Sequence, residues 1–195
     1  KIRVDTYDAE GNGLVEIEQF IDGYDCSFMF WLENGNLTLL LTWDELSNFD
    51  DNGDLVSIGL SMPSVAESLG HLDKITKITN EISNNFQSLS ALLAFSFRVD
   101  KNDKCWLIEI HADITGDEIL DKLAPNSSGD DYLRNITRLV LDGNLTEEKS
   151  ISMLKNHFTP TALISFDKSK NILVKAVSSQ ELNIKISKLL NSREI

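Results

Sequence analysis

The chain has 195 residues, of which 42% are hydrophobic and 25% charged, a composition typical of a globular protein with a buried core. Its formal net charge is −13, because 18 basic residues face 31 acidic ones. Nucleic-acid backbones and anionic membranes are bound through clustered lysine and arginine, so this balance argues against both as partners. No apolar run approaches the 18 or more residues that a membrane span requires.

Two cysteines, Cys26 and Cys105, each lie in an apolar, strand-like run. Such thiols are more often buried in a reducing compartment than paired in a disulfide. The sequence begins with Lys1 rather than Met, and it has no basic segment followed by an apolar export signal. We therefore expect a cytoplasmic location and expect these residues to be the back part of a longer protein.

The first predicted elements are strands. Residues 14–31 mix β-branched and aromatic residues with polar ones and break at Asp22-Gly23, which predicts two strands. Asn34-Gly35 predicts a tight hairpin that returns as a strand over 37–42. The acidic segment 48–55 carries turn residues and predicts a loop.

A long amphipathic helix is predicted after Pro63. Apolar residues recur at steps of three and four from Val65 to Phe86, which places them on one face of a helix. Ser64 has the position of an N-cap, and Glu67 follows it at capping-box spacing.

The second half of the chain mixes strands and helices. Strands are predicted at 92–99 and 104–111, with a turn at 100–103 between them. Further helices are expected near 116–124, 129–141, 146–156 and 178–192, and further strands at 162–166 and 172–177. This order of hairpins and helices predicts an α+β fold, with an antiparallel sheet packed against helices, rather than a doubly wound parallel sheet.

The stretch YDAEGNGLVEIEQF, residues 7–20, has the outline of a calcium loop. Counting from Asp8, oxygen-bearing residues stand at alternate positions and Gly13 is sixth, as such loops require. The twelfth position, however, is Gln19, whose amide cannot act as the charged bidentate ligand. We therefore favour an acidic turn between strands, and an acidic calcium-binding module built on 8–13 and 50–54 remains an alternative.

Residues 15–27, VEIEQFIDGYDCS, resemble the hinge of the ATP-grasp superfamily, in which a strand with Glu and apolar residues precedes Gly, an acidic residue and a small residue. In that family the extended hinge presents backbone N–H and C=O groups to the edge of adenine, and apolar side chains enclose the ring. The resemblance implies an adenine hinge and a ribose acceptor. The hinge would be Glu18, Gln19, Phe20 and Ile21, and the ribose acceptor would be Asp25. The alternative for Glu18 is an exposed strand carboxylate.

Residues 97–119, FRVDKNDKCWLIEIHADITGDEI, resemble the metal-binding strand pair of the same superfamily. There a carboxylate on one strand and Glu-x-Asn on the next hold Mg²⁺ against the phosphates of ATP. Because residues i and i+2 of a strand share a face, we expect Glu109 and His111 to project together and Trp106 to face the other side. The resemblance implies that Glu109 and His111 are catalytic residues that hold the cation.

Three positions depart from the family pattern. Ser96 stands thirteen residues before Glu109, where the first carboxylate ligand is expected. His111 replaces the Asn, and Asp113 replaces the Arg that often follows it. Imidazole nitrogen binds divalent ions, although Mg²⁺ prefers oxygen, so Mn²⁺ becomes an alternative cation. If the strand stays extended, Asp113 shares the face of His111 and completes a metal set of Glu109, His111 and Asp113; the alternative is a decayed site.

The resemblance extends over nearly the whole chain. It implies an ATP-grasp C-terminal subdomain over 1–142, with a lid remnant at 1–13, and a small C-terminal α/β module over 143–195. The implied function is the C-terminal half of an ATP-dependent carboxylate–amine ligase, which converts a carboxylate into an acylphosphate that an amine attacks.

The implied cofactors are ATP and Mg²⁺ or Mn²⁺, and the implied partners are small-molecule carboxylate and amine substrates. The family takes its phosphate-binding lysines from the portion before the hinge, so residues 1–195 alone are not expected to be active. A catalytically inactive ATP-grasp-like binding or assembly module is the alternative. The sequence leaves the oligomeric state open, and a homo-oligomer is compatible with it.

Overall fold

The computed structural model describes residues 6–7, 13–14, 19–49, 55–114, 116, 118–143 and 158–164. Several predictions lie outside these residues. They concern Glu18, the calcium-loop segments 8–12 and 50–54, the helices expected at 146–156 and 178–192, and the strand expected at 172–177.

Six strands form one antiparallel sheet. They are β3 (Gly23–Glu33), β4 (Asn36–Phe49), β5 (Leu55–Met62), β6 (Ser90–Asp100), β7 (Cys105–His111) and β8 (Thr161–Ile164). Their order across the sheet is β7-β6-β3-β4-β5-β8. Two short strands, β1 (Thr6–Tyr7) and β2 (Gly13–Leu14), pair with each other. The predicted α+β fold with an antiparallel sheet is confirmed.

The helices are α1 (Val65–Ser68), α2 (Leu72–Ser83), α3 (Ala124–Ser128) and α4 (Tyr132–Asp142). A π-helical segment, Ile119–Leu123, runs directly into α3. Nowhere in the described ranges does a helix reach the length and apolarity needed to span a membrane.

The predicted hairpin at Asn34-Gly35 is confirmed. Both residues have positive φ, 51° and 79°, as a two-residue type I′ turn requires. The returning strand, β4, continues to Phe49, well past the predicted end at residue 42, because it pairs with β3 at its start and with β5 at its end.

The single helix predicted from Val65 to Phe86 is wrong, because the structure has two helices there. Gly70 adopts a φ of 76°, a left-handed conformation that reverses the chain and ends α1. Ser64 is the N-cap as predicted, since its hydroxyl accepts the Ala66 N–H at 3.1 Å. The capping box does not form, because the Glu67 carboxylate instead accepts a hydrogen bond from the Thr42 hydroxyl.

Each face of the sheet has its own apolar core. On the face that we call the α2 face, Phe28 and Phe97 pack edge to face, with ring centroids 6.1 Å apart, and α2 contributes the buried Ile75. On the opposite face, the α4 face, Met29 and Trp31 pack against α4. Alternate residues of β3 therefore supply the two cores, as the pleat of a strand requires.

The caps of helix α4 determine where it begins and ends, and its apolar stripe determines which side faces the sheet. The Asp131 carboxylate accepts the Arg134 N–H at 3.0 Å at the start, and Gly143, with a φ of 69°, ends the helix. Tyr132, Ile136 and Leu139, at steps of four and three, are fully buried against the sheet.

Strand β8 lies beyond residue 142, where the sequence predicts a separate module. Its residues pair antiparallel with β5, from Gly59 with Ile164 to Met62 with Thr161, and so extend the main sheet. The two cysteines are free, as expected: Cys26 is buried and Cys105 half-buried, and burial raises the pKa of both thiols.

Candidate functional site

Three consecutive rows of side chains cross the α4 face from β4 to β7, because directly paired residues of neighbouring strands share a face. The first row is Glu45, Asp25, Arg98 and Trp106; the second is Trp43, Ser27, Ser96 and Glu109; the third is Leu41, Met29, Ala94 and His111. The rows change from charged to mixed to mainly apolar, and the third joins the core under α4. The polar rows therefore lie where the buried core of this face ends.

Glu109 and His111 project together from edge strand β7, as predicted. The Nε2 atom of His111 lies 3.1 Å from Oε1 of Glu109, and the side chains are 43% and 56% exposed, respectively. Both groups are thus accessible to a ligand that approaches this edge of the sheet. Their roles as catalytic and cation-binding residues remain predictions.

Ser96 lies directly opposite Glu109 in the pairing of β6 with β7. Ser96, at the position where the family pattern has its first carboxylate, therefore faces Glu109 across the strand pair. In this chain the position carries a hydroxyl, and the Ser96 and Ser27 Oγ atoms are hydrogen bonded at 3.1 Å. The middle of the site is a pair of hydroxyls beside one carboxylate.

Asp113 does not continue the face of Glu109 and His111. Strand β7 ends at His111, and Asp113 follows in an exposed bend. The condition for a shared face, an extended strand through 113, is therefore not met. Within the ranges that the structure describes, no three His, Cys, Asp or Glu side chains are grouped so as to hold a metal ion.

Trp106 lies on the α4 face, so its predicted orientation toward the other face is wrong. The pairing of β6 with β7 skips Ile108: Ser96 faces Glu109, whereas the next residue, Phe97, faces Leu107. This β-bulge inserts one residue into β7 and reverses the alternation before it. Trp106 consequently lies beside Arg98 in the first row.

Trp106 is held by the turn between β6 and β7. Its Nε1–H donates to Oδ2 of Asp100 at 3.0 Å, and the Lys104 ammonium lies 3.3 Å from the centroid of its indole ring. Asp100 also accepts the backbone N–H groups of Asn102 and Lys104, and these bonds, led by that from Trp106, lower the pKa of Asp100. The indole therefore has a fixed position at the charged end of the face.

The predicted hinge enters β3 from one end of the sheet. Of its described residues, Gln19 is exposed, Phe20 is 46% exposed and Ile21 is half-buried. Gly23 begins β3 so close to β6 that an added Cβ would lie 2.1 Å from the Val99 carbonyl oxygen. The Gly of the hinge pattern is thus required by the approach of two strands.

Arg98 joins the hinge to β6. Its Nε donates to Oδ1 of Asp25 at 2.6 Å, and its Nη2 donates to Oδ2 of the same carboxylate. Its Nη1 donates to the Ile21 carbonyl at 3.2 Å, and its guanidinium carbon lies 5.3 Å from the centroid of the Phe20 ring. The hydrogen bonds with Asp25 are the main reason that the pKa of Arg98 is raised. Both oxygens of Asp25, the predicted ribose acceptor, are thus engaged by Arg98, and its role toward ribose remains a prediction.

Comparisons with known proteins identify the fold. No protein-family model and no curated protein sequence matches the chain. Among solved structures, the L-amino acid ligase of Bacillus licheniformis matches with a TM-score of 0.56 at 13% identity, over 78% of this chain and 42% of the ligase. The phosphoribosylaminoimidazole carboxylase ATPase subunit of Aquifex aeolicus matches with a TM-score of 0.56 at 12% identity, over 96% of this chain and 50% of that one.

A third structure is the biotin carboxylase domain of 2-oxoglutarate carboxylase from Hydrogenobacter thermophilus, in complex with MgADP, ADP and bicarbonate. It matches with a TM-score of 0.55 at 14% identity, over 79% of this chain and 32% of that one. The fold is that of an ATP-grasp subdomain. The ATP-grasp resemblance read from the sequence is confirmed at this level, and the chain spans half or less of the length of each of these structures.

On the α4 face, the donor set offers few ligands for one divalent cation. Glu109 provides a carboxylate, His111 an imidazole nitrogen and Ser96 a hydroxyl, all on one face. Mg²⁺ is commonly held by one or two carboxylates together with phosphate oxygens and water, so a single carboxylate is at the lower limit. The imidazole favours a softer ion such as Mn²⁺.

Three residues of the α4 face were not among the predicted site residues: Ser27, Arg98 and Trp106. Strand alternation carries the signal for two of them, because Ser27 is two residues from Asp25 and Arg98 is two residues from Ser96. Trp106 had no such signal, because the bulge at Ile108 is a property of the strand pairing.

Proposed function

We propose that residues 1–195 form the C-terminal half of an ATP-dependent carboxylate–amine ligase that works through an acylphosphate. The supporting observation is that the predicted ribose acceptor, Asp25, lies on the same face of one sheet as the predicted cation ligands Glu109 and His111. Asp25 and Glu109 are separated by two strand spacings and one two-residue step, about 12 Å between Cα atoms. A nucleotide lying across β3, β6 and β7 would have to cover this distance with its ribose and phosphates, while its base lies beyond Asp25.

Each row of the α4 face has a role in this proposal. Residues 19–21 and Asp25 hold the adenosine end. Ser27 and Ser96 share one hydrogen bond, and whichever hydroxyl accepts in it donates its own proton to a phosphate oxygen. Glu109 and His111 hold a divalent cation, which when bound would neutralise charge on the transferring phosphoryl group.

The decisive variant is Glu109→Gln, which keeps the shape of the side chain and removes its charge. We expect the affinity for ATP in the presence of Mn²⁺ or Mg²⁺ to fall at least tenfold, because charged oxygen ligands dominate the binding of hard cations. Titration calorimetry on the protein that contains residues 1–195 measures this change.

The matched control is Glu81→Gln, an exposed carboxylate on α2 behind the opposite face. This variant should bind ATP as the wild type does. Absence of nucleotide binding by the wild type, or equal binding by the Glu109→Gln variant, contradicts the proposal.

A catalytically inactive binding module is the second candidate. It is favoured by Ser96, because the side chain opposite Glu109 is a hydroxyl that is already bonded to Ser27 rather than a carboxylate. ATP binding without ADP release, across a panel of carboxylate and amine substrates, would support this candidate over the ligase. Substrate-dependent ADP release would support the ligase.

A further inference from the structure

We propose that Arg98 is a positioning residue for nucleotide binding, which fixes the base-binding segment onto β6 and thereby sets base selectivity. This inference rests on the proposed function, and nothing in the family pattern drawn from the sequence assigns a role to this arginine. One guanidinium group contacts three parts of the segment: the Phe20 ring, the Ile21 carbonyl and the Asp25 carboxylate.

The contacts of Arg98 are directional and partly shielded from water. A guanidinium group is a rigid, planar fork of donors, and here it binds both oxygens of one carboxylate while donating in a third direction to a carbonyl. The side chains of Arg98 and Asp25 are only 14% and 23% exposed. Such a pair is screened less than an ion pair on an open surface.

The segment needs an external support because it has no regular structure of its own. Residues 19–22 belong to neither a helix nor a strand, so no ladder of backbone hydrogen bonds holds them. Recognition of a base edge by backbone N–H and C=O groups gains affinity and selectivity only when those groups are held in place before the ligand arrives. The hydrogen bonds and ring contact of Arg98 provide that support.

The Ile21 carbonyl has a specific place in this arrangement. It accepts the Nη1–H of Arg98 at 3.2 Å, so this oxygen points toward β6. The Ile21 carbonyl is therefore engaged by Arg98 before a base arrives, and the backbone of the segment is fixed at this residue.

Arg98 also connects the two ends of the site. Arg98 and Ser96 are alternate residues of β6 on the same face, about 7 Å apart along the strand. Ser96 faces Glu109, whereas Arg98 faces Asp25. One strand thus keeps the base-binding segment in register with the residues proposed to hold the phosphates and the cation.

Three variants test the role of Arg98. Arg98→Met removes all the polar contacts, Arg98→Lys keeps the charge without the planar fork, and Arg138→Met, at an exposed arginine of α4, is the control. The dissociation constants of ATP and GTP are measured by calorimetry in the protein that contains residues 1–195, together with thermal unfolding. We expect Arg98→Met to raise the dissociation constant of ATP at least tenfold. The ratio of the dissociation constant of GTP to that of ATP should also fall in this variant. Arg98→Lys should have intermediate values, and the control should bind both nucleotides as the wild type does.

The outcomes separate positioning from simple stabilisation. An equal loss of affinity for ATP and GTP, with an unchanged ratio, overturns the proposal, as does an unchanged ATP affinity. If Arg98→Met does not fold, the ratio measured for Arg98→Lys decides in the same way. If the wild type binds neither nucleotide, the proposed function itself fails. If the wild type binds ATP and the Arg98 variants bind it equally well, only the proposal for Arg98 fails.

Discussion

Ser96 is the residue at which this chain departs most clearly from the metal-site pattern that its sequence resembles. It lies directly across β6 and β7 from Glu109, and its Oγ is 3.1 Å from that of Ser27. A carboxylate at this position would face Glu109 at the distance of a cross-strand pair, where like charges repel each other unless a cation lies between them.

We therefore predict that Ser96→Asp strengthens Mn²⁺ binding about tenfold, because a second carboxylate ligand is added. Without a cation, the variant should unfold at a lower temperature than the wild type. Addition of Mn²⁺ should raise the unfolding temperature of the variant and so remove this difference. Thermal unfolding with and without Mn²⁺ measures both effects. The control is Ser90→Asp, at the exposed start of the same strand, which should show neither effect. If the unfolding temperature of the Ser96→Asp variant does not change with Mn²⁺, no cation binds at this position.

Single residues also show what the sequence could and could not predict about the site. The shared face of Glu109 and His111 follows from strand alternation alone and is confirmed by their 3.1 Å contact. The orientation of Trp106 was predicted wrongly, because one extra residue in β7 reverses the alternation and no local pattern marks it. The bidentate contact of Arg98 with Asp25 spans 73 positions of sequence and depends on the register of two strands.

At the scale of elements, hairpins were predicted better than helix boundaries. Asn34-Gly35 sets its turn through local backbone conformation, so the position of the hairpin is predicted correctly, although β4 continues past the predicted end at residue 42. The apolar stripe from Val65 to Phe86 was read as one helix, although Gly70 breaks it into two. The spacing of apolar residues indicates which of them face the core, but it does not indicate where one helix ends and the next begins.

Helix α4 should stabilise the face that carries the candidate site. Ile136 is completely buried in the core on that face, whereas Leu141, on the same helix, is 79% exposed. We predict that Ile136→Ala lowers the free energy of unfolding by about 3 kcal/mol, through lost apolar burial and the cavity left behind. Leu141→Ala should change it by less than about 0.5 kcal/mol. Urea denaturation measures both, and equal effects would contradict the placement of α4 on the sheet.

At the scale of the whole molecule, the order of hairpins and helices predicts an α+β fold, and the resemblance of residues 15–27 and 97–119 to family motifs implies a fold of the ATP-grasp kind. The matched structures, at 12–14% identity, confirm that fold. The division at residue 142 remains a prediction, and β8, which lies beyond it, completes one edge of the same sheet. That pairing joins segments about a hundred residues apart, and such long-range contacts cannot be derived from local propensity.

The central claim is that a nucleotide binds across β3, β6 and β7 on the α4 face. Hydrogen–deuterium exchange with and without ATP and Mn²⁺, on the protein that contains residues 1–195, tests it most directly. Exchange should slow at residues 19–25 and 105–111 and stay unchanged in α2, at 72–83, behind the opposite face. Protection confined to α2, or no protection at either end of the site, would contradict the claim.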